Sequence, residues 1–269
     1  MASNMAARWL TGLILAAVIL LIIVIAPPLA LTLLITLVAA GGTWEYNHIV
    51  LGNGFVKEKL EGTIFALAIP LVTYFGTSQL VLALLAFCIL ITFILFLGSV
   101  KDTTFDVTIV AKVVFGILYI PFLLSYFILL RATDQGVLWV LFALVLAFAG
   151  DITALYIGKY FGRHKLSPII SPGKTMEGTM GLIAGSMLAC LIFSYFFFPG
   201  LSLIKIGILA LFGSIIGQLG DLCESAIKRN YGFKDAGSLL PGHGGLMDRL
   251  DCLLFIVPFV YYYKIYIFG

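Results

Sequence analysis

Charged residues are scarce in this chain. Asp, Glu, Lys and Arg make up 11% of its 269 residues, whereas 62% are hydrophobic. A soluble globular chain carries about 25% charged residues, so this scarcity excludes a water-covered surface around most of the fold. The composition therefore predicts an integral membrane protein.

Paired cysteines are lacking too. Two of the four cysteines, Cys88 and Cys190, lie in apolar stretches, where cysteine packs as a small hydrophobic residue. Cys223 and Cys252 are each close to an aspartate but do not have the CxxC spacing that is typical of a zinc site. This pattern argues against a disulfide framework and against a structural zinc centre.

The sequence also has no internal repeat, no low-complexity tract and no linker that would separate a soluble domain. Its largest polar segments are 44–60, 159–176 and 225–251. We expect a single integral membrane unit, in which residues 1–106 form the first four helices and residues 107–269 form the remaining helices and the candidate site.

Long hydrophobic runs are abundant. A helix needs about 20 apolar residues to cross the hydrocarbon core, and about nine windows approach that length. They are 10–26, 28–43, 61–76, 79–98, 107–130, 136–158, 177–198, 203–224 and 250–268. The sequence thus predicts an all-α polytopic membrane protein with about nine transmembrane helices. Only Pro27 and Pro28 divide the first two windows, so a count of eight is an alternative. Another alternative is that the first window is a cleaved signal peptide that uses Arg8 as its charge.

The basic residues predict an orientation. If the N-terminus is cytoplasmic, all but three of the 16 Lys and Arg residues fall on the cytoplasmic side; the exceptions are Arg131, Lys205 and Lys264. Cytoplasmic loops of membrane proteins carry such an excess. We therefore expect a protein of the cell (inner or cytoplasmic) membrane whose polar segment 225–251 faces the cytoplasm, where nucleotides and divalent cations are available.

Segment 225–251 concentrates charge between two apolar windows. It contains four basic residues, three aspartates and a histidine: Lys228, Arg229, Lys234, Arg249, Asp235, Asp248, Asp251 and His243. A charged residue near the bilayer centre costs roughly 2.5 to 3.5 kcal/mol. Such a cluster is typical of a site that meets water, a metal ion or a charged substrate.

The eighth window brings a further carboxylate toward this cluster. Gly213, Gly217 and Gly220 recur near one helix face, a pattern that lets a neighbouring helix approach closely. Asp221 lies about one turn inside the end of this window, and we expect it to point toward that neighbour.

A magnesium site is a candidate role for two of these aspartates. Mg²⁺ uses one or two carboxylates and leaves its other positions to water and phosphate, which suits Asp221 with Asp248. Asp248 and Asp251 are also spaced i, i+3 at the predicted start of the ninth helix, where the helix dipole alone would favour a carboxylate. Both interpretations stay open at this point.

The basic residues of the cluster favour an anionic ligand. Arg suits bidentate phosphate contact, and Lys acts as a point charge. Gly242, Gly244 and Gly245 allow backbone N–H groups to approach an anion closely, and His243 adds a donor in the same loop.

Segment 171–178, SPGKTMEG, is a second basic segment at a membrane edge. Ser171 or Thr175 is a candidate N-cap of the seventh helix, Glu177 falls in its first turn, and Lys174 projects at the membrane surface. The alternative is a solvated cytoplasmic loop.

Asp151 lies within the sixth window, and an ionisable residue within a span is a functional hypothesis by default.

These motifs resemble those of the phosphatidate cytidylyltransferase family, the CDP-diacylglycerol synthases. The resemblance is carried by the pattern S-A-I-K-R-x4-K-D-x-G-x2-L-P-G-H-G-G-L-x-D-R-x-D over 225–251, and it extends to GDLCES at 220–225, SPGKTMEG at 171–178 and GD at 150–151. It implies transfer of a cytidylyl group from CTP to phosphatidate, with CDP-diacylglycerol and pyrophosphate as products.

The resemblance also implies roles for individual residues. Asp221 and Asp248 are the expected ligands of Mg²⁺, around one or two cations. The residues expected to bind and orient the triphosphate or the phosphatidate head group are Lys228, Arg229, Lys234, Asp235, His243, Arg249 and Asp251. The residues expected to line the substrate site are Asp151, Ser171, Lys174, Thr175, Glu177, Ser225, Gly244 and Gly245.

The same resemblance implies the partners. CTP would arrive from the cytoplasm, while the acyl chains of phosphatidate would enter sideways from the bilayer. A homodimer fits the family, and no nucleic-acid partner is expected. Two alternatives stay open: a related CTP-dependent lipid enzyme, such as a CDP-archaeol synthase or a polyprenol kinase, and a transporter with Asp151 and Asp221 as proton carriers.

Overall fold

A computed structural model describes residues 12, 14, 16–100, 105–237 and 244–269 of the chain. Within these ranges the protein is almost entirely helical, with one two-stranded sheet. Six helical stretches are long and apolar enough to cross a membrane. They are Pro28–Leu51, Ser78–Ser99, Thr108–Arg131, Gly136–Phe161, Met176–Phe197 and Leu203–Asn230. The chain is thus an all-α integral membrane protein.

The helices and strands of the described residues follow in chain order. Helix α1 includes residues 16–24. The next helices are α2 (Pro28–Leu51), α3 (Val56–Phe75), α4 (Ser78–Ser99), α5 (Thr108–Ile117), α6 (Tyr126–Arg131), α7 (Gly136–Phe148) and α8 (Gly150–Phe161). Strands β1 (Lys165–Ser167) and β2 (Ser171–Thr175) precede α9 (Met176–Phe197), α10 (Leu203–Asn230) and α11 (Leu253–Tyr263). Two π-helical turns, Leu118–Phe122 and Lys264–Phe268, continue α5 and α11.

Each of the nine apolar windows overlaps a helical part of the described chain. Besides the six long stretches, helix occurs in α1, in α3 and in the shorter apolar segment Leu253–Phe268. The number of these helices that span the bilayer stays a prediction.

The polar segment 44–60 does not form the expected loop. Helix α2 continues to Leu51 and α3 begins at Val56. The polar side chains of Glu45, Asn47 and Glu58 are buried in the protein, and burial against neighbouring helices removes the need for a water-exposed loop.

The ninth helix also begins later than the sequence predicts. Met247–Arg249 forms a single 3₁₀ turn, and α11 starts at Leu253. Asp248 is held in the preceding loop because its carboxylate accepts the N–H groups of Ala236 (3.0 Å) and Gly245 (2.9 Å). The expectation that Asp248 and Asp251 share the first turn of this helix was therefore wrong.

The chain divides into two compact units. Unit 1 comprises Met1–Ala132 and Asp235–Asp248, and unit 2 comprises Thr133–Lys234 and Arg249–Gly269. In unit 1, Gly116 of α5 lies against the ring of Tyr46 in α2: a Cβ atom at Gly116 would lie 2.5 Å from that ring. The Tyr46 hydroxyl donates to the backbone oxygen of Lys112 (3.2 Å). This contact fixes α5 beside the polar end of α2.

In unit 2, the glycine face of α10 packs closely as the sequence predicts. A Cβ atom at Gly213 would lie 2.5 Å from Leu146 of α7, and one at Gly217 would lie 2.6 Å from Ile256 of α11. Helices α8 and α9 approach each other in the same way, since the Thr153 hydroxyl contacts the backbone oxygen of Gly181 (2.7 Å). Small residues permit such close helix contacts.

Candidate active site

A cavity of about 500 Å³ opens within unit 2. Its walls come from α8, from the end of β2, from the first turns of α9 and from α10. The lining residues are Asp151, Ala154, Leu155, Gly158, Lys159, Gly173, Lys174, Thr175, Gly178, Thr179, Leu182, Gln218 and Asp221. Four of the predicted site residues, Asp151, Lys174, Thr175 and Asp221, thus share one cavity.

The β-hairpin positions Lys174 at the N-terminal end of α9. Strands β1 and β2 pair antiparallel, with Lys165 opposite Thr175 and Ser167 opposite Ser171. The Thr175 side chain caps α9 by accepting the N–H of Gly178 (3.1 Å). Of the two candidate N-caps, Thr175 therefore fills that role, while Ser171 lies at the start of β2.

Glu177 ties the hairpin to the first turn of α9. Its carboxylate accepts the backbone N–H groups of Arg163 (3.1 Å) and His164 (3.3 Å) and pairs with His164 Nδ1 (2.7 Å). These contacts hold the chain that leads into β1. They do not place Glu177 among the residues that line the cavity.

An ion pair between Lys174 and Asp221 crosses the cavity. It joins the residue before the N-cap of α9 to α10, and both side chains are only partly exposed. Asp151 of α8 is close enough for its charge to interact with both members of the pair. Cation and carboxylates therefore lie together at the capped end of α9, where backbone N–H groups favour an anion.

Asp251 adds a further carboxylate close to Asp221. It precedes the apolar helix Leu253–Phe268 and accepts the N–H of Cys252 (2.7 Å). Burial, together with the negative charge of Asp221, raises the pKa of Asp251 to about 6. Because these carboxylates repel one another, the site favours a cation.

Three other predicted site residues of unit 2 lie in the C-terminal turns of α10. Lys228 is buried and pairs with Glu224 (2.7 Å), one turn earlier. The Ser225 hydroxyl contacts Asp221 Oδ1 (3.4 Å), and Arg229 Nε donates to the backbone oxygen of Ile170 (3.3 Å). Arg229 thus connects α10 to the hairpin turn. Two further predicted residues, Lys234 and Arg249, are exposed.

Unit 1 contains the remaining predicted residues. Asp248 accepts N–H groups from Ala236 and Gly245. Gly244 has a φ of +83°, a conformation that glycine adopts without strain. Asp235 is exposed. Because Asp221 belongs to unit 2, its pairing with Asp248 stays a prediction, and His243 lies outside the described residues.

Glu45 supports the loop that holds Asp248. It is 4% exposed, and its Oε2 atom accepts the N–H of Met247 (2.9 Å). Gly237 and Gly245 lie so close that a Cβ atom at either position would be within 3 Å of the Glu45 carboxylate. Side chains at these two positions would displace the carboxylate, which explains why glycine occupies both.

Sequence reasoning gave no role to three residues of this region. They are Glu45, Glu224 and Gln218. Glu224 has a local signal, because it and Lys228 have the i, i+4 spacing of a helical ion pair. Gln218 has one as well, because it lies one helical turn before Asp221. Glu45 contacts a residue 202 positions later in the chain, a relationship that has no local signal.

The residues present fit a magnesium ion. Carboxylate oxygens are the ligands that Mg²⁺ prefers, and it binds through one or two of them together with substrate phosphates. Asp221 is accessible from the cavity, and each carboxylate retains acceptor capacity beyond the bonds described. Among the described residues no group of three His, Cys, Asp or Glu side chains is placed to hold a metal ion.

The chain is similar to known proteins over nearly its whole length. The cytidylyltransferase family model matches residues 6–267. A phosphatidate cytidylyltransferase of Bacillus subtilis (strain 168) is 41% identical over 189 residues, which cover 70% of this chain and 68% of the relative. A phosphatidate cytidylyltransferase of Staphylococcus saprophyticus is 37% identical over 160 residues, which cover 60% of this chain and 58% of the relative.

Proposed function

The chain belongs to the cytidylyltransferase family, and from this premise we propose that it transfers a cytidylyl group from CTP to phosphatidate. The products are CDP-diacylglycerol and pyrophosphate, so the protein is a membrane-embedded nucleotidyltransferase of phospholipid biosynthesis. The observation that carries this proposal is the cavity in which Lys174 pairs with Asp221 beside the capped start of α9.

The reaction joins two polyanions. An oxygen of the phosphatidate phosphate attacks the α-phosphorus of CTP, and the bond from that phosphorus to the bridging oxygen breaks, so pyrophosphate leaves with the electron pair. The nucleophile is already anionic and needs no strong base. The task of the protein is to offset charge and to align the reactants.

The basic residues offset this charge. Lys174 and Lys159 line the cavity, and the first N–H groups of α9 add a partial positive charge. We assign the binding of the triphosphate and of the lipid phosphate to these groups together with Lys228, Arg229, Lys234, His243 and Arg249. Asp235 and Asp251 orient them.

Asp221 and Asp248 are the proposed magnesium ligands. Bound there, the ion would neutralise phosphate oxygens and favour in-line displacement at the α-phosphorus. The ion pair with Lys174 orients the Asp221 side chain before the substrates bind.

The proposal includes the orientation in the membrane. Nine spans with a cytoplasmic N-terminus place the basic end of α10, with Lys228 and Arg229, on the cytoplasmic side of the cell membrane, in accord with the charge asymmetry of the loops. CTP then reaches the cavity from the cytoplasm and phosphatidate from the bilayer. A homodimer remains a further part of the proposal.

The position of a radioactive label tests this function. The purified protein is incubated with Mg²⁺, with CTP labelled at the α- or the γ-phosphate, and with phosphatidate or a polyprenol. We expect α-label in the lipid product, only with phosphatidate, and γ-label in pyrophosphate. Transfer of γ-label to polyprenol would indicate a kinase instead. Absence of label from every lipid would contradict the proposal.

A further inference from the structure

Gln218 is a buried amide of the cavity lining, and its nitrogen has no hydrogen-bond partner among the described residues. It lies on α10, is 8% exposed and belongs to the cavity lining. Within the described part of the chain, its Nε2 atom is buried and has no acceptor. Buried polar groups are nearly always paired, and an unpaired one is unfavourable. The position therefore points to a ligand that supplies the missing acceptor.

We propose that Gln218 donates a hydrogen bond to an acyl-ester carbonyl of the lipid substrate and so selects ester-linked over ether-linked lipid. This inference rests on the proposed function, because it concerns the lipid that the same cavity receives. It adds a contact with the uncharged part of that substrate.

The depth of Gln218 favours the lipid over the nucleotide. Gln218 precedes Asp221 by three residues, which is about 4.5 Å along a helix, and it lies farther from the basic end of α10 at Lys228 and Arg229. Basic helix ends lie at the membrane surface. Gln218 is therefore deeper in the bilayer than the carboxylate that faces the phosphates.

The chemistry at this depth agrees with an ester. In a diacyl lipid the ester groups lie between the phosphate and the hydrocarbon chains, so they lie below the phosphate when the lipid stands in the bilayer. Leu182 of α9 also lines the cavity and lies about one turn beyond Thr179. An uncharged donor beside an apolar wall suits a neutral carbonyl oxygen better than a phosphate, for which Lys174 is available.

The test compares two lipids in the wild type and in Gln218→Leu. Diacyl phosphatidate and dialkyl phosphatidate of equal chain length are offered to the purified full-length protein with CTP and Mg²⁺. A site that hydrogen-bonds a substrate group discriminates against an analogue without that group. We expect wild-type kcat/KM to be about tenfold higher for the diester, as one hydrogen bond of ordinary strength allows. In Gln218→Leu this ratio should fall to about 1, with the KM for CTP unchanged.

The controls separate this inference from a general loss of structure. Gln79→Leu makes the same replacement at an exposed position of α4 and should keep the wild-type ratio. Gln218→Met retains the length of the side chain and repeats the test if Gln218→Leu does not fold. The inference is overturned by an unchanged lipid ratio in a folded Gln218 variant, by a ratio near 1 in the wild type, or by an effect confined to the KM for CTP. If the wild type converts neither lipid, the proposed function itself fails.

Discussion

Lys174 and Asp221 form an ion pair that connects the end of β2 to the C-terminal third of α10. The two residues come from segments that are far apart in sequence, and both line the cavity beside the capped start of α9. A cation is thereby held where the triphosphate is expected, and a carboxylate is held where the metal is expected.

Replacement of Lys174 should weaken the binding of CTP. We expect Lys174→Ala to raise the KM for CTP roughly 10-fold or more, because hydrogen bonds to charged groups are worth about 1.5 to 3 kcal/mol. Lys165→Ala is the matched control: it removes the same charge from the same hairpin, but Lys165 binds the backbone oxygen of Pro172 outside the cavity lining. Equal effects of the two variants on the KM would show that only the general charge of the hairpin matters.

Replacement of Gly220 should destabilise unit 2. A Cβ atom there would lie 2.6 Å from the backbone oxygen of Asp251, and overpacking costs about 1 to 3 kcal/mol. Gly207→Ala is the control on the same helix, since no side chain or neighbouring element of the described residues lies within 4 Å of its added Cβ. We expect thermal unfolding in detergent to give a lower Tm for Gly220→Ala and an equal or higher Tm for Gly207→Ala. The reverse order would contradict the close packing of α10.

Removal of the Glu45 carboxylate should disturb the loop that holds Asp248. We expect Glu45→Ala to lower activity about 10- to 100-fold, as is usual for residues that position a metal ligand. Because Met247 N–H loses its acceptor, amide hydrogen exchange in residues 244–248 should accelerate. Glu45→Gln retains an oxygen for that N–H and should restore most of the protection.

Glu61→Gln is the control for Glu45, because it alters another buried carboxylate of unit 1, one that contacts Thr92 instead of the loop (2.6 Å). If Glu45→Ala exchanges no faster than Glu61→Gln over residues 244–248, then Glu45 does not position this loop.

The charge of Asp251 should make stability depend on pH. Its folded-state pKa of about 6 exceeds the ordinary Asp value of about 3.9, so the stability present below about pH 4 is lost as the pH rises through about 6. The Asp251→Asn variant has no ionisable group at this position, so its stability should not decrease in this pH range for this reason. With metal chelated, we expect its Tm to equal that of the wild type near pH 4 and to exceed it by several degrees at pH 8 (about 2–4 °C per kcal/mol).

Asp106→Asn provides a control of opposite sign for this pH dependence. Hydrogen bonds from Thr108 lower the pKa of the exposed Asp106 carboxyl, so this variant should be slightly less stable than the wild type at pH 8. A Tm difference for Asp251→Asn that does not change between pH 4 and pH 8 would contradict the raised pKa.

Hydropathy located the helices well because the bilayer imposes a length and a composition on every span. It failed where polar residues are buried in protein. Glu45 and Asn47 marked a loop in the sequence, yet both are buried in α2. The β-hairpin before α9 was also missed, since its five-residue second strand SPGKT contains Pro and Gly, which are depleted in strands.

The local chemistry of the site was predictable, and its long-range contacts were not. Spacing alone indicated Thr175 as a candidate cap and Asp221 as a carboxylate at a helix contact. Two contacts depend on how distant segments pack, which a single sequence does not reveal. They are the ion pair of Lys174 with Asp221 and the hydrogen bond of Met247 with Glu45. Asp248 and Asp251 were placed on a helix for the same reason: the loop contacts that hold Asp248 could not be foreseen.

The most direct test of the proposed function follows pyrophosphate and CDP-diacylglycerol together in the wild type, in Asp221→Asn and in Asp248→Asn. With CTP, phosphatidate and Mg²⁺, the wild type should release one pyrophosphate for each CDP-diacylglycerol formed. Either substitution should lower both products at least about 100-fold, because it removes a proposed metal ligand while the side chain keeps its size. Undiminished, equal formation of both products by either variant would contradict the metal assignment, and pyrophosphate release without CDP-diacylglycerol in the wild type would contradict the proposed reaction.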